Sequence, residues 1–120
     1  MRERVKNALS LLFLSKREVI VITKKLEREF QSNLIKELKK RFEGCFVTKL
    51  DSGHIQGIPD LLVLYKNKWA ILECKKSYKE VHQPNQDYYV DLFDSMSFSK
   101  FIYPENKEEV LDELQRTFRN

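Results

Sequence analysis

Two apolar runs, Leu61–Tyr65 (LLVLY) and Trp69–Leu72 (WAIL), flank the short polar turn Lys66-Asn67-Lys68, and this arrangement constrains the fold more than any other stretch of the chain. Short apolar runs bounded by turn residues read as β-strands, and a polar connection this brief reads as a hairpin. Asp60 opens the first run after a Gly57-Ile58-Pro59 turn, while Glu73 and Lys75 close the second. Strand side chains alternate faces, so Glu73 and Lys75 share one side and Cys74 takes the other. In a hairpin, Asp60 at the start of one strand lies beside Glu73 at the end of the next. Two carboxylates that close repel each other unless a cation sits between them, and hard oxygen ligands suit Mg²⁺ or Mn²⁺. A lysine at such a site polarises a water or steadies a developing negative charge. Taken singly, an Asp after Pro is ordinary turn chemistry, and Glu-x-Lys is an ordinary pattern on an exposed strand. Their order around one hairpin is what points to a site.

The rest of the chain alternates helical and strand patterns. Arg2 to Leu14 predicts a short amphipathic helix, and the β-branched run Glu18 to Thr23 (EVIVIT) predicts a strand. Together residues 1–23 form an N-terminal extension to a domain spanning 24–120. Lys24 to Phe42 is the clearest helix, with Gly44 as its C-cap. Cys45 to Leu50 follows as a strand, then the loop Asp51 to Ile58 and the hairpin. Ser77 to Pro84 is polar and expected to be mobile. Asn85 to Met96 reads as a helix with Tyr88, Tyr89, Leu92 and Phe93 as its apolar stripe and Asn85 as its cap. Ser97 to Tyr103 reads as a strand, and Glu108 to Phe118 as a closing helix with Val110, Leu111, Leu114 and Phe118 inward. Helix, three strands, helix, strand, helix is an α/β domain with a mixed central sheet flanked by helices.

At 120 residues the chain has room for one domain with one modest core. Hydrophobic residues at 42% against charged residues at 33%, with few Gly and Pro, exclude a disordered chain. The net charge of +4 and pI near 9.0 fit a polyanionic partner, although 18 acidic residues nearly balance 22 basic ones. Cys45 and Cys74 have no zinc or redox spacing and read as reduced thiols. No apolar stretch reaches the ~18 residues that a membrane span needs. Ala8 to Leu14 lacks a cleavage site and is followed by Lys16-Arg17-Glu18, so no signal peptide is expected.

The long helix carries two acids near its start, Glu27 and Glu29. At 100° per residue, Phe30, Leu34, Leu38 and Phe42 fall within about 60° of Glu27. Glu27 therefore lies on the midline of the apolar face, with Gln31 one turn on, whereas Glu29 lies opposite with Lys36 and Lys40. An acid in a core-facing stripe is costly unless paired or metal-bound. Its plainer role would be to complement the helix dipole.

Pro59-Asp60 followed by Glu73-Cys74-Lys75 resembles the PD-(D/E)XK nuclease signature. The chain is most similar to the VRR-NUC and Holliday-junction-resolvase-like branches, including small phage nucleases, over roughly Lys24 to Tyr103. The helix-strand-helix order above matches the α-β-β-β-α-β core of that family. The resemblance implies a metal-dependent nuclease with Mg²⁺ or Mn²⁺ held by Asp60, Glu73 and Glu27, and with the Cys74 carbonyl as a further oxygen. Glu27-x-x-x-Gln31 resembles the family's opening Glu motif. Related nucleases carry a glutamine at the start of the helix after the hairpin, which Gln86 matches best and Gln83 second. Lys75 would orient the attacking water. Lys76, one step along the strand, is expected to face away from the metal and, with Lys79 and Lys36, to hold phosphates. His54 and Gln56, on the loop before Asp60, are further candidates for substrate contact.

The expected activity is hydrolysis of DNA phosphodiester bonds, structure-selective (on branched DNA) or non-specific rather than sequence-specific, in a cytoplasmic compartment (the host's, for a viral protein). Branched-DNA resolution implies a homodimer, and the N-terminal extension reads equally as an added edge strand, a dimerisation arm or a family-specific extension. Three alternatives compete: a non-catalytic nucleic-acid-binding protein on the same fold, an RNA-acting nuclease, and an interaction module using its basic surface against an acidic protein.

Overall fold

The computed structural model describes residues 13–119. Helix α1 spans Lys16–Arg41, strand β1 Phe46–Lys49, β2 Leu61–Tyr65, β3 Lys68–Cys74, helix α2 Gln86–Met96, strand β4 Ser99–Ile102 and helix α3 Lys107–Arg119. The four strands form one mixed sheet in the order β1-β2-β3-β4. β1 and β3 each run antiparallel to β2, and β4 runs parallel to β3 after the α2 crossover. No described helix is long and apolar enough to cross a membrane.

Alternation along β3 separates two layers. Ala70, Leu72 and Cys74 join Leu61 and Val63 in a core closed by Leu34, Leu38 and Phe42 of α1 and by Val110, Leu111, Leu114 and Phe118 of α3. Trp69 points the other way, onto Phe93 of α2 at a ring-centroid distance of 6.3 Å. Glu73 lies on that same α2-facing side, and Lys75 follows it just beyond the strand. The hairpin turn is tighter than the sequence suggests. Lys68 already pairs with Tyr65, and Lys66 takes the left-handed conformation (φ 55°) that a two-residue connection demands.

The strand expected at Glu18–Thr23 is instead helix, continuous with the long helix that was expected to begin at Lys24. Ser15 caps it, its hydroxyl accepting from the Glu18 N–H at 3.1 Å. Ser15 followed by Glu18 is an N-terminal signature that outweighs the strand preference of VIVI. β-branched residues cost only a few tenths of a kcal/mol each in a helix, and extending an existing helix avoids the cost of a new nucleus. The boundary expected between residues 23 and 24 thus falls inside one continuous helix. Most of the helix expected over Arg2–Leu14 lies outside the described residues, and Phe13 and Leu14 are not helical. At 26 residues, α1 is about 39 Å long. Its buried residues begin at Leu34, whereas Val19, Ile20, Val21 and Leu26 remain exposed.

α2 departs from expectation in its rotation and its cap. Val90 is its buried residue, and Tyr88 is exposed rather than part of the inward stripe. Asn85 stands at the N-cap in the left-handed conformation (φ 70°) and makes no side-chain cap.

Candidate functional site

The hairpin register brings the two acids together. Leu61 pairs with Leu72, so Asp60 stands opposite Glu73 one step further along. β2 begins just after that point, and Asp60 turns its Oδ2 to accept the Cys74 N–H at 2.9 Å. Its backbone carbonyl meanwhile accepts from the Leu50 N–H at 2.8 Å, tying the loop back to β1. Glu73 is only 3% exposed, and its Oε1 is buried without a hydrogen-bond partner. A buried carboxylate oxygen left bare is costly, and a cation or a proton relieves it.

Gln86 organises the other half. Its Nε2 donates to Glu73 Oε2 at 2.7 Å, while its Oε1 accepts from Lys75 Nζ at 2.7 Å. The same Oε1 accepts the Gln83 N–H at 2.7 Å, so two donors fix which end of the amide is oxygen. Lys75, 5% exposed, also donates to the Val81 carbonyl at 3.4 Å. Its Nζ lies 3.8 Å from Glu73 Oε2, an ion pair without a hydrogen bond. The loop that delivers Gln86 passes close to Gly57. Gly57 has φ +88°, and a Cβ there would lie 2.7 Å from both the Asn85 Cβ and the Pro84 carbonyl oxygen. Only glycine satisfies both conditions.

Burial dominates the electrostatics. It pushes the Glu73 carboxyl up to about 8, helped by the charge of Asp60 and opposed by Lys75. Asp60 is also raised by burial, with the Cys74 N–H pulling the other way. Glu27 on α1 is raised by burial, lowered by Lys75 and raised by Asp60, which puts it in the same field. Glu27 is half-buried, whereas Glu29 is exposed. The Cys74 thiol is raised by burial and by both acids, with Gln31 pulling the other way, so it is a neutral core group rather than a nucleophile.

These groups line one cleft of about 710 Å³ at the C-terminal end of β3. Glu27, Asp60, Glu73, Lys75 and Gln86 meet there, and Cys74, Lys76 and Lys79 line it too. The expected outward turn of Lys76 holds only in part. β3 ends at Cys74, and Lys76 reaches toward α1, donating to Thr23 Oγ1 at 3.2 Å from within the same cleft. Lys36 is elsewhere, in a hollow with Asn33, Glu37 and Lys40. His54 and Gln56 are exposed on their loop and do not line the cleft.

The segment expected to be mobile, Ser77 to Pro84, is tied down: Glu80 Oε2 accepts the Lys76 N–H at 3.1 Å, and His82 bonds Asp87 at 2.7 Å while stacking on Phe101. Val19, Ile20 and Thr23 also line the cleft and were not among the expected site residues. Ser15 and Glu18, read as a helix start, would have brought them in. Compared with known proteins, the chain matches no family model, no curated protein sequence and no solved structure.

Proposed function

We propose that the protein is a divalent-metal-dependent nuclease of the PD-(D/E)XK type that hydrolyses DNA phosphodiester bonds. One observation carries the reading: three acids, a buried lysine and a glutamine from α1, β2, β3 and α2 converge on one cleft, with a carboxylate oxygen of Glu73 left without a partner. Among the described residues, no group of three or more His, Cys, Asp and Glu side chains is arranged to hold a metal ion. The reading is of a hard cation held chiefly by Asp60 and Glu73, with Glu27 acting directly or through water and the Cys74 carbonyl as a further oxygen. Such a cation, when bound, supplies Lewis-acid polarisation of the phosphate and lowers the pKa of a nearby water.

The protein's own groups do the remaining work. Gln86 and the Val81 carbonyl take two of the three N–H directions of Lys75. Glu73 Oε2, at 3.8 Å, is too far for a hydrogen bond and pairs with the amine by charge alone. Lys75 so placed orients the attacking water and stabilises charge developing on the phosphate. Gln86 keeps the amine from collapsing onto Glu73. Lys24, Lys76 and Lys79 on the cleft walls hold flanking phosphates. A branched substrate would call for two such sites, hence a homodimer.

The test is cleavage of supercoiled, linear, single-stranded and four-way-junction DNA, and of RNA, with Mg²⁺, Mn²⁺ or EDTA. Metal-dependent cleavage of DNA that is abolished in Asp60→Ala and Glu73→Ala is expected. Binding without cleavage under every metal condition would refute the enzyme, and cleavage of RNA alone would refute the substrate.

A further inference from the structure

Val81 and Gln83 line the cleft, and His82 between them does not. Their backbone does part of the site's bonding: the Val81 carbonyl accepts from Lys75 Nζ at 3.4 Å, and the Gln83 N–H donates to Gln86 Oε1 at 2.7 Å. That carbonyl and that N–H belong to the two peptide units joined at the His82 Cα. Each unit is planar, so φ and ψ of His82 set the angle between them. Whatever holds His82 therefore aims both groups.

His82 is held from two sides. Its ring stacks on Phe101 of β4, with centroids 4.0 Å apart and planes 15° from parallel. Its Nδ1 bonds Asp87 Oδ1 at 2.7 Å, in the first turn of α2. Both anchors adjoin the site. Phe101 pairs with Glu73 in the β3–β4 register, and paired residues on neighbouring strands project from one face of the sheet. Asp87 directly follows Gln86. An exposed loop side chain ordinarily flips between rotamers. This one, with 38% of its side chain exposed, is fixed by a ring face and a carboxylate.

We propose that His82 is a positioning residue for Lys75 and Gln86, an inference that rests on the nuclease reading for its effect on catalysis. Its grip keeps the Gln83 N–H on Gln86 Oε1, which leaves Gln86 Nε2 on Glu73 and the same Oε1 on Lys75. Without that grip the amide is free to turn, and Lys75 loses the two fixed acceptors that hold its amine off Glu73.

The test uses the full chain and two readouts: the Gln86 side-chain amide by ¹⁵N NMR in EDTA, and single-turnover cleavage at saturating protein with Mg²⁺. His82→Ala should move the Gln86 amide signals toward those of a solvated glutamine. It should also slow cleavage about tenfold, with DNA affinity held within about twofold. His82→Asn, which keeps a donor for Asp87 but loses the stack, should match it. His82→Phe, which keeps the stack, should recover most of both readouts. In a Gln86→Ala background, His82→Ala should slow cleavage by no more than about twofold further, because both act through one amide. Unchanged amide signals and rate in the two variants that lack the stack, or additive losses with Gln86→Ala, would overturn the proposal. Failure of both those variants to fold would overturn it too. Amide signals that respond as expected in a protein that never cuts DNA would refute only the nuclease, and cleavage that ignores His82 would refute only the positioning.

Discussion

Replacing Glu73 with Gln removes one charge from a buried pair without changing its shape. The new amide oxygen still accepts from Gln86, and its NH₂ faces Asp60. In the metal-free protein the Glu73 carboxyl is raised from the 4.5 of an unfolded chain to about 8, through burial first and Asp60 second. The sign follows from linkage. Between those two values the folded state holds a proton that the unfolded state releases, so stability is full below about pH 4.5 and falls as pH rises toward 8. The limiting slope is about 1.4 kcal/mol per pH unit, which over this window caps the loss at roughly 3–5 kcal/mol.

Glu73→Gln should therefore be close to neutral in stability near pH 4.5 and stabilising by about 2–4 kcal/mol near pH 8. Asp60, raised in the same direction, leaves a smaller residual slope. Urea unfolding in EDTA across that range measures it. In the wild type, added Mn²⁺ should recover the stability lost at high pH, because a cation that binds the ionised pair stabilises the folded state by mass action. In Glu73→Gln it should recover little. A variant destabilised at pH 8, or with an unchanged slope, would refute the reasoning that Asp60 and Glu73 share one strained, cation-seeking site.

Three further outcomes are expected. Lys75→Ala should slow single-turnover cleavage about a hundredfold or more with DNA affinity nearly unchanged, while Lys76→Ala should weaken binding more than it slows chemistry. Kinetics at saturating protein separate the two, and a reversed pattern would mean that Lys76 is the catalytic lysine. Glu27→Gln should keep its melting temperature and lose most activity, whereas exposed Glu29→Gln should change neither. Gly57→Ala should cost about 1–3 kcal/mol in urea unfolding and also lower activity, because the added Cβ pushes on the Asn85 backbone that sets Gln86.

The hairpin and its flanking acids were legible from residues 57–75 alone, because strand alternation and pairing are local rules: Asp60 beside Glu73 follows once Leu61 faces Leu72. The rotation of the long helix was legible too, since Leu34 and Leu38 must be buried and Glu27 shares their face. Local rules failed at Glu18–Thr23, where β-branched preference competes with a Ser15 cap and a helix already under way. They left open which of the adjacent Tyr88 and Tyr89 lies off the apolar stripe, and the exposure of Tyr88 depends on how α2 settles against β3 and β4.

What tertiary structure alone decided is the bonding of the site. Gln86 reaches Glu73 and Lys75 only because a parallel crossover returns α2 beside the end of β3. Lys76 turns into the cleft because β3 stops at Cys74. The segment 77–84, polar enough to read as mobile, is held by partners such as Glu105 and Phe101 that follow it in the chain. A polar group's partner can come from anywhere in the fold, and no local periodicity encodes it, whereas the burial of an apolar face is written residue by residue along the chain.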